Sequence, residues 1–194
     1  MPNQKNRVTL LVGVYQDANE ARDAELKTCI DNNHSLKSID EIIPYADRPT
    51  FNELFKLGTS KLQSEMDITI IANSDIYFTD ESIQLIKRHI TPDTCFALSR
   101  WDVRNGNAIL FNRADSQDVW IFQGAIPQME GADFGLGFAG TDNAIAHIIS
   151  MNGYRVVNPA LTIKAFHLHE SNVRNYNPMN KVQPPYKLIP LIKL

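Results

Sequence analysis

Three short apolar runs rich in β-branched residues, at 8–14 (VTLLVGV), 39–43 (IDEII) and 67–72 (DITIIA), are separated by segments with helical spacing. A run of five to seven such residues is too short for a buried helix and suits a strand covered on both faces. Strands that alternate with helices cannot be joined by tight hairpins, so the alternation predicts a mostly parallel sheet flanked by helices. Sheets of that kind bind ligands outside the carboxyl ends of their strands. The residues that end each strand are therefore where chemistry is expected.

The helices announce themselves locally. Leu26, Cys29 and Ile30 share one helical face, which Asn32 and Asn33 are expected to end. Thr50-Phe51-Asn52-Glu53 has the form of a capping box, followed by Phe51, Leu54 and Phe55 on one face. Thr79 is placed to cap a third helix through Ile83, Ile86 and Ile90. Strands are expected at 95–98 and 119–122, with a polar loop or hairpin between them. A Gly-rich stretch from Gly131 to Gly140 leads into a helix bearing Ala144, Ile145, Ile148 and Ile149, with Gly153 where a C-cap would fall. Short strands at 155–157 and 161–167 follow, and Pro44 is expected to stop the second strand.

A chain of 194 residues is expected to form one domain, drawn here over residues 1–177. Residues 178–194 hold four prolines and read as an extended tail or linker, consistent with one domain of a longer chain. The net charge of −3 supplies no strong field toward nucleic acid or anionic lipid. No recognition motif for nucleic acid is present, and no apolar run is long enough to span a bilayer. Cys29 and Cys95 sit in apolar segments and read as buried free thiols in a reducing compartment. A soluble cytoplasmic protein is expected.

Three constellations could carry chemistry. In Asn73-Ser74-Asp75 an apolar strand delivers a carboxylate at its C-terminal end, where it could hold a divalent cation against a diphosphate; the same residues also make an ordinary turn. In Gly140-Thr141-Asp142 a Gly-rich loop brings a carboxylate into the first turn of a helix. The helix dipole is expected to favour its ionised form, which could take a proton from a hydroxyl, although helix capping is the blander role. In His167-Leu168-His169 a continuing strand would put both imidazoles on one face. Neither cysteine has a partner at zinc-ligand spacing. The spacing Gly135-x-Gly137-x-x-Gly140 matches a dinucleotide fingerprint, but no strand immediately precedes it and no acid follows between Arg155 and Phe166, so that reading is rejected. Arg48, after Asp47 and ahead of a helix N-terminus, could meet an anion. Trp120 beside Ser116-Gln117-Asp118 suits carbohydrate, whose C–H faces pack on aromatics.

In this order the segments resemble the GT-A nucleotide-sugar glycosyltransferases near the family-2 group. The matching stretches are Asn73-Ser74-Asp75, Gly140-Thr141-Asp142-Asn143, the run 153–159 and His167-x-His169-x-Ser171-x-x-Arg174-Asn175-Tyr176. They look especially like small transferases of microbial and large-virus glycan pathways, such as the chlorella-virus type. The resemblance spans about residues 8–176. It implies a GT-A type αβα sandwich with a mostly parallel central sheet and a Rossmann-like nucleotide-binding half. It also implies a DXD-like motif, here with Asn73 in place of the first Asp, and Mn²⁺ or Mg²⁺ held by Asp75 with His167 or His169. Manganese is slightly favoured because imidazole ligands suit it better. Gly13, Val14, Tyr15, Asp47, Arg48, Asn73 and Ser74 would receive the nucleotide. Trp120, Gln123, Gly140, Thr141 and Arg174 would shape the sugar and acceptor sites, with Arg174 also facing the diphosphate. The reaction implied is transfer of a sugar from a nucleotide-diphosphate donor to a glycan hydroxyl, with inversion and Asp142 as general base. A retaining transferase, a nucleotidyltransferase and a non-catalytic nucleotide-sugar-binding module are the alternatives.

Overall fold

The computed structural model describes residues 6–46, 48–171 and 181–194. Its first half is strand–helix–strand as the alternation requires: β1 (Val8–Gly13), α1 (Glu20–His34), β2 (Glu41–Tyr45), α2 (Phe51–Ser60) and β3 (Ile68–Ala72). Then follow β4 (Ile76–Tyr77), α3 (Asp80–His89), β5 (Thr94–Leu98), the hairpin β6 (Trp101–Arg104) and β7 (Asn107–Leu110), and β8 (Val119–Gln123). The described elements end with α4 (Thr141–Met151), β9 (Arg155–Val157) and β10 (Phe166–Leu168).

Six strands form the central sheet in the order β2-β1-β3-β8-β5-β9. The pairs β1–β2, β1–β3 and β5–β9 are parallel, and β8 alone runs against its neighbours β3 and β5. The protein is thus an αβα sandwich with a mostly parallel sheet. Side chains alternate across each strand. Val8, Leu10 and Val12 of β1 enter one core layer with Ile83 and Ile86 of α3. Leu11 faces the other layer with Phe51 and Phe55 of α2 and Ile145 and Ile149 of α4. Cys29 and Cys95 are both free and fully buried.

The caps read from sequence are present. Thr50 accepts from the Glu53 N–H while Glu53 reaches back to the Thr50 N–H, which satisfies two helix-end donors at once. Thr79 accepts from the Ser82 N–H at the start of α3. Gly153 follows the α4 C-cap with φ of 91°, a conformation other residues rarely adopt.

Three local expectations need correction. Pro44 lies inside β2 rather than after it, because β2 is a sheet edge and needs no N–H on its open side. As expected, α1 ends within a residue of Asn33, whose buried side chain donates to the Ile76 carbonyl and accepts from the Phe78 N–H. The last strand is shorter than 161–167 and begins at Phe166. Over 181–194 the tail is extended, as expected, but it is docked on the domain rather than free of the core. Ile189 is 3% exposed and joins the core beside α4. The Lys187, Ile189 and Ile192 amides donate to the carbonyls of Asn143, Ala114 and Asn158. Proline removes donors but leaves a chain free to bond from the residues between.

A second, smaller sheet in the order β4-β10-β6-β7 lies at the carboxyl end of β3. Its register sets His167 of β10 opposite both Ile76 of β4 and Asp102 of β6. That register carries a residue from late in the chain to the end of β3.

Candidate active site

Asp75 sits in the tight connection from β3 to β4. The Ile76 amide donates to the Asn73 carbonyl, and the Leu168 amide to the Asp75 carbonyl, so the turn is fastened to β10. Asp75 and His167 are each 9% exposed. Ligand atoms of Asp75, His167 and His169 all lie within 4.8 Å of one another. His167 Nε2 is 3.2 Å and His169 Nδ1 3.7 Å from Asp75 Oδ2. One carboxylate and two imidazoles are a donor set that suits a divalent transition ion. The cluster is the one such group among the described residues.

Two further side chains hold this cluster. Arg22 of α1 is 3% exposed and donates to Asp75 Oδ2 (2.5 Å), to Glu25 and to the Leu168 carbonyl. On the other side of the ring, His167 Nδ1 lies 2.7 Å from Asp102 Oδ1. Burial alone would raise the Asp75 pKa, but His167 and Arg22 hold it far below the usual carboxylate range. Burial also works against charge on His167, yet Asp102 and Asp75 override it and raise its pKa to about 9. A metal bound by these residues would require the His167 imidazole to give up a proton.

Asp102 begins a chain of contacts along the sheet edge. Arg100 Nε donates to Asp102 Oδ1 (2.8 Å) and its Nη1 to Asp118 Oδ2 (3.1 Å). The guanidinium also lies 4.0 Å from the centre of the Phe111 ring. Asp118, just before β8, accepts from Asn73 Nδ2 (3.0 Å). Because β8 is antiparallel, its first residues share the edge at which β3 and β5 end.

Asp142 stands at this edge on the first turn of α4. The helix is capped by Gly140, with φ of 80° and no side-chain cap bond, so neither Thr141 nor Asp142 is spent on capping. Asp142 Oδ2 accepts the Gln117 N–H (3.3 Å), one residue before Asp118. Thr141 turns inward, 1% exposed, and donates to the Gly135 carbonyl. The start of the helix favours an ionised Asp142, but its other surroundings work against that. Burial and the negative charge of Asp118 push its carboxyl well above the usual range, outweighing the Gln117 amide. A carboxylate raised in this way is a stronger base when it does ionise.

The remaining expected site residues divide. Gly13 and Ser74 are neighbours at the β1 and β3 ends: a Cβ on Gly13 would stand 3.3 Å from the Tyr45 ring and 3.6 Å from Ser74 Cβ. Val14 and Tyr15, just past β1, are 43% and 44% exposed. Arg48 lies over the Phe138 ring, against the Gly-rich loop. Trp120 and Gln123 are not at the site. Trp120 is 1% exposed and packs edge-on to Phe51, because its β8 position points into the α2–α4 core layer. Gln123 is 4% exposed at the opposite end of the sheet, opposite Ile68, and donates to the Met66 carbonyl. Asp47 and Arg174 lie outside the described residues.

Arg22, Arg100 and Asp102 carried no sequence signal. Arg22 is one polar residue on a largely polar helix, and Arg100 and Asp102 merely flank Trp101. In the sequence Asp118 is distinguished only as a polar residue beside Trp120.

No protein-family model matches the chain, and no curated protein matches it by sequence. Among solved structures it is similar to a mutant of Drosophila β-1,4-galactosyltransferase 7 in complex with manganese, UDP-Gal and xylobiose. Identity is 12% and the TM-score 0.45, over 90% of this chain and 77% of that chain. It is also similar to 4-diphosphocytidyl-2C-methyl-D-erythritol synthase, at 11% identity and a TM-score of 0.43, over 91% of this chain and 96% of that chain. Likenesses of this degree assign neither activity nor ligand. No helix among the described residues is long and apolar enough to cross a membrane.

Proposed function

We propose that the protein is a metal-dependent GT-A type glycosyltransferase that moves a sugar from a nucleotide-diphosphate donor to a glycan hydroxyl with inversion. One observation carries this reading. A carboxylate–imidazole cluster and a separate carboxylate, Asp142, share the carboxyl edge of one mostly parallel sheet; the cluster is linked through Asp102 and Arg100 to Asp118, and Asp142 bonds the amide of the residue before it.

Asp75, His167 and His169 would hold Mn²⁺ or Mg²⁺. When bound, the cation offsets negative charge on the departing diphosphate. Asp142 accepts the proton of the acceptor hydroxyl as its oxygen attacks the anomeric carbon. The bond from that carbon to the diphosphate oxygen breaks on the opposite face. The electron pair leaves with the nucleoside diphosphate, so the product is inverted. Gly13, with no side chain, lets the Tyr45 ring and Ser74 close against the end of β1, where the nucleotide would be received. Tyr15 offers an exposed aromatic face beside it, and Asn73 and Ser74 offer polar contacts.

The test is a thermal-shift screen of nucleotide sugars with and without Mn²⁺, then transfer assays with any donor that raises the melting temperature. A cation-dependent donor shift and loss of turnover in Asp142→Asn are expected. Transfer by Asp142→Asn at the wild-type rate would overturn the base assignment. A wild-type protein that binds no nucleotide sugar under either condition would overturn the function.

A further inference from the structure

Asp102 takes no chemical step in the mechanism above, yet strand pairing, His167 and Arg100 all hold it in place. It lies on β6, next to β10, in the register that sets it opposite His167. Its Oδ1 is 2.7 Å from His167 Nδ1, while the other ring nitrogen of the same imidazole points at Asp75 Oδ2, 3.2 Å away. The ring therefore has one edge turned to a carboxylate behind it and the other turned into the metal-ligand cluster. Arg100 Nε donates to the same Asp102 oxygen, and its Nη1 is tied to Asp118, so the carboxylate cannot swing away from the ring. Asp102 itself is not among the clustered ligand atoms.

We propose that Asp102 is a positioning residue that holds His167 with its proton on Nδ1, so that Nε2 presents a lone pair to a divalent cation at Asp75 and His169. This rests on the metal reading of the site. An imidazole can coordinate through either nitrogen, and the hydrogen bond made by the other one decides which. A carboxylate behind a ligating histidine fixes the ring's rotation as well as its tautomer, and it makes the free nitrogen more basic. Here the backing group lies on the hairpin β6–β7 and the presented ring on β10, so a pairing between two strands of the small sheet sets the geometry of the cluster. Arg100 carries the same constraint on to Asp118 and hence to the edge at which Asp142 stands.

The experiment is a double-mutant cycle of Mn²⁺ affinity by calorimetry on wild type, Asp102→Asn, His167→Ala and the double variant. It is paired with ¹⁵N spectra of the histidine rings in Mg²⁺-loaded wild type. Asp102→Asn is expected to weaken Mn²⁺ binding about 10- to 100-fold. In the His167→Ala background the same change is expected to cost almost nothing, since Asp102 then has no ring to orient. The spectra are expected to show His167 protonated at Nδ1 and not at Nε2. Unchanged affinity in Asp102→Asn, an equal loss in both backgrounds, or an Nε2-protonated ring would each overturn the assignment. If wild type binds no divalent cation at all, the metal reading falls and this assignment falls with it. If wild type binds Mn²⁺ normally and only the cycle is flat, the metal reading stands and the role of Asp102 is lost.

Discussion

Arg22 and Asp75 form an ion pair of 2.5 Å between the first helix and the end of the third strand, with both residues buried. The same guanidinium bonds the Leu168 carbonyl, so a single side chain fastens the Asp75 carboxylate, the proposed metal ligand, to the strand that carries His167. Removing it leaves a buried carboxylate with His167 as its main remaining charged partner. Arg22→Met is expected to cost about 3 kcal/mol in urea unfolding, in the range found for broken buried pairs. It is also expected to weaken Mn²⁺ binding, since Asp75 would no longer be held in place. Unchanged stability would mean that His167 alone suffices to hold the carboxylate.

Asp142 is held protonated by its surroundings in a pH range where an unfolded aspartate is ionised. The sign follows from linkage. With the folded pKa raised, the unfolded state releases its proton first, so this group makes the protein less stable as pH rises from about 4 up to the raised value. Asp142→Asn removes that cost. Its melting temperature is expected to exceed that of wild type at pH 7 to 8 and to match it near pH 4, while transfer is lost. Thermal melts across pH check this, and equal stability of the two proteins at all pH values would show that the fold does not raise the Asp142 pKa.

Asp67 has the opposite behaviour. Burial would raise its pKa, but it accepts from the amides of Gln63, Ser64 and Arg7 and from the Ser64 hydroxyl, which together lower it. Its stabilisation is present above the ordinary carboxylate pKa and is lost as pH falls through the depressed folded value. Asp67→Ala is expected to cost about 2 kcal/mol at pH 7. The gap to wild type should narrow steadily below pH 4, as read from urea midpoints. A gap that does not change with pH would refute the charge-based account.

Gly140 begins α4 with φ of 80°, and a Cβ there would stand 2.7 Å from the Val182 carbonyl oxygen and 2.8 Å from Tyr186 Oη. Backbone conformation and the tail both exclude a side chain. Gly140→Ala is expected to cost about 1–3 kcal/mol. Because the next turn carries Asp142, kcat should fall more than KM rises. Wild-type kinetics in a destabilised Gly140→Ala protein would separate the loop from the chemistry.

Ile189 is the sharpest test of the tail. A linker residue tolerates truncation, whereas this one is core. Ile189→Ala is expected to cost about 2–4 kcal/mol by denaturant unfolding. An effect below about 0.5 kcal/mol would mark the tail as only loosely docked.

The residues legible in the sequence are those whose signal is local. Ile68–Ala72 declares itself by a short β-branched run, Thr50 and Glu53 by their spacing of three, and Asp75 by following a strand directly. Trp120 misled because an aromatic beside polar residues fits a core strand as well as a sugar platform. Which face of β8 it occupies depends on the register with β3, and that register is not written near residue 120. The tail misled for a related reason, since its prolines rule out helix without saying what Ile189 packs against.

The chain's local patterning fixed the alternation of strands and helices, the caps, and the placing of carboxylates at strand and helix ends. Those follow from side-chain periodicity and helix-end hydrogen bonding, which act over a few residues. Only the tertiary structure decided that His167 meets Asp75 across 92 positions, that Arg22 meets it across 53, and that Asp102 stands behind His167 across 65. Such meetings depend on strand pairing and on how a helix seats against a sheet, and these are settled by the packing of the whole core.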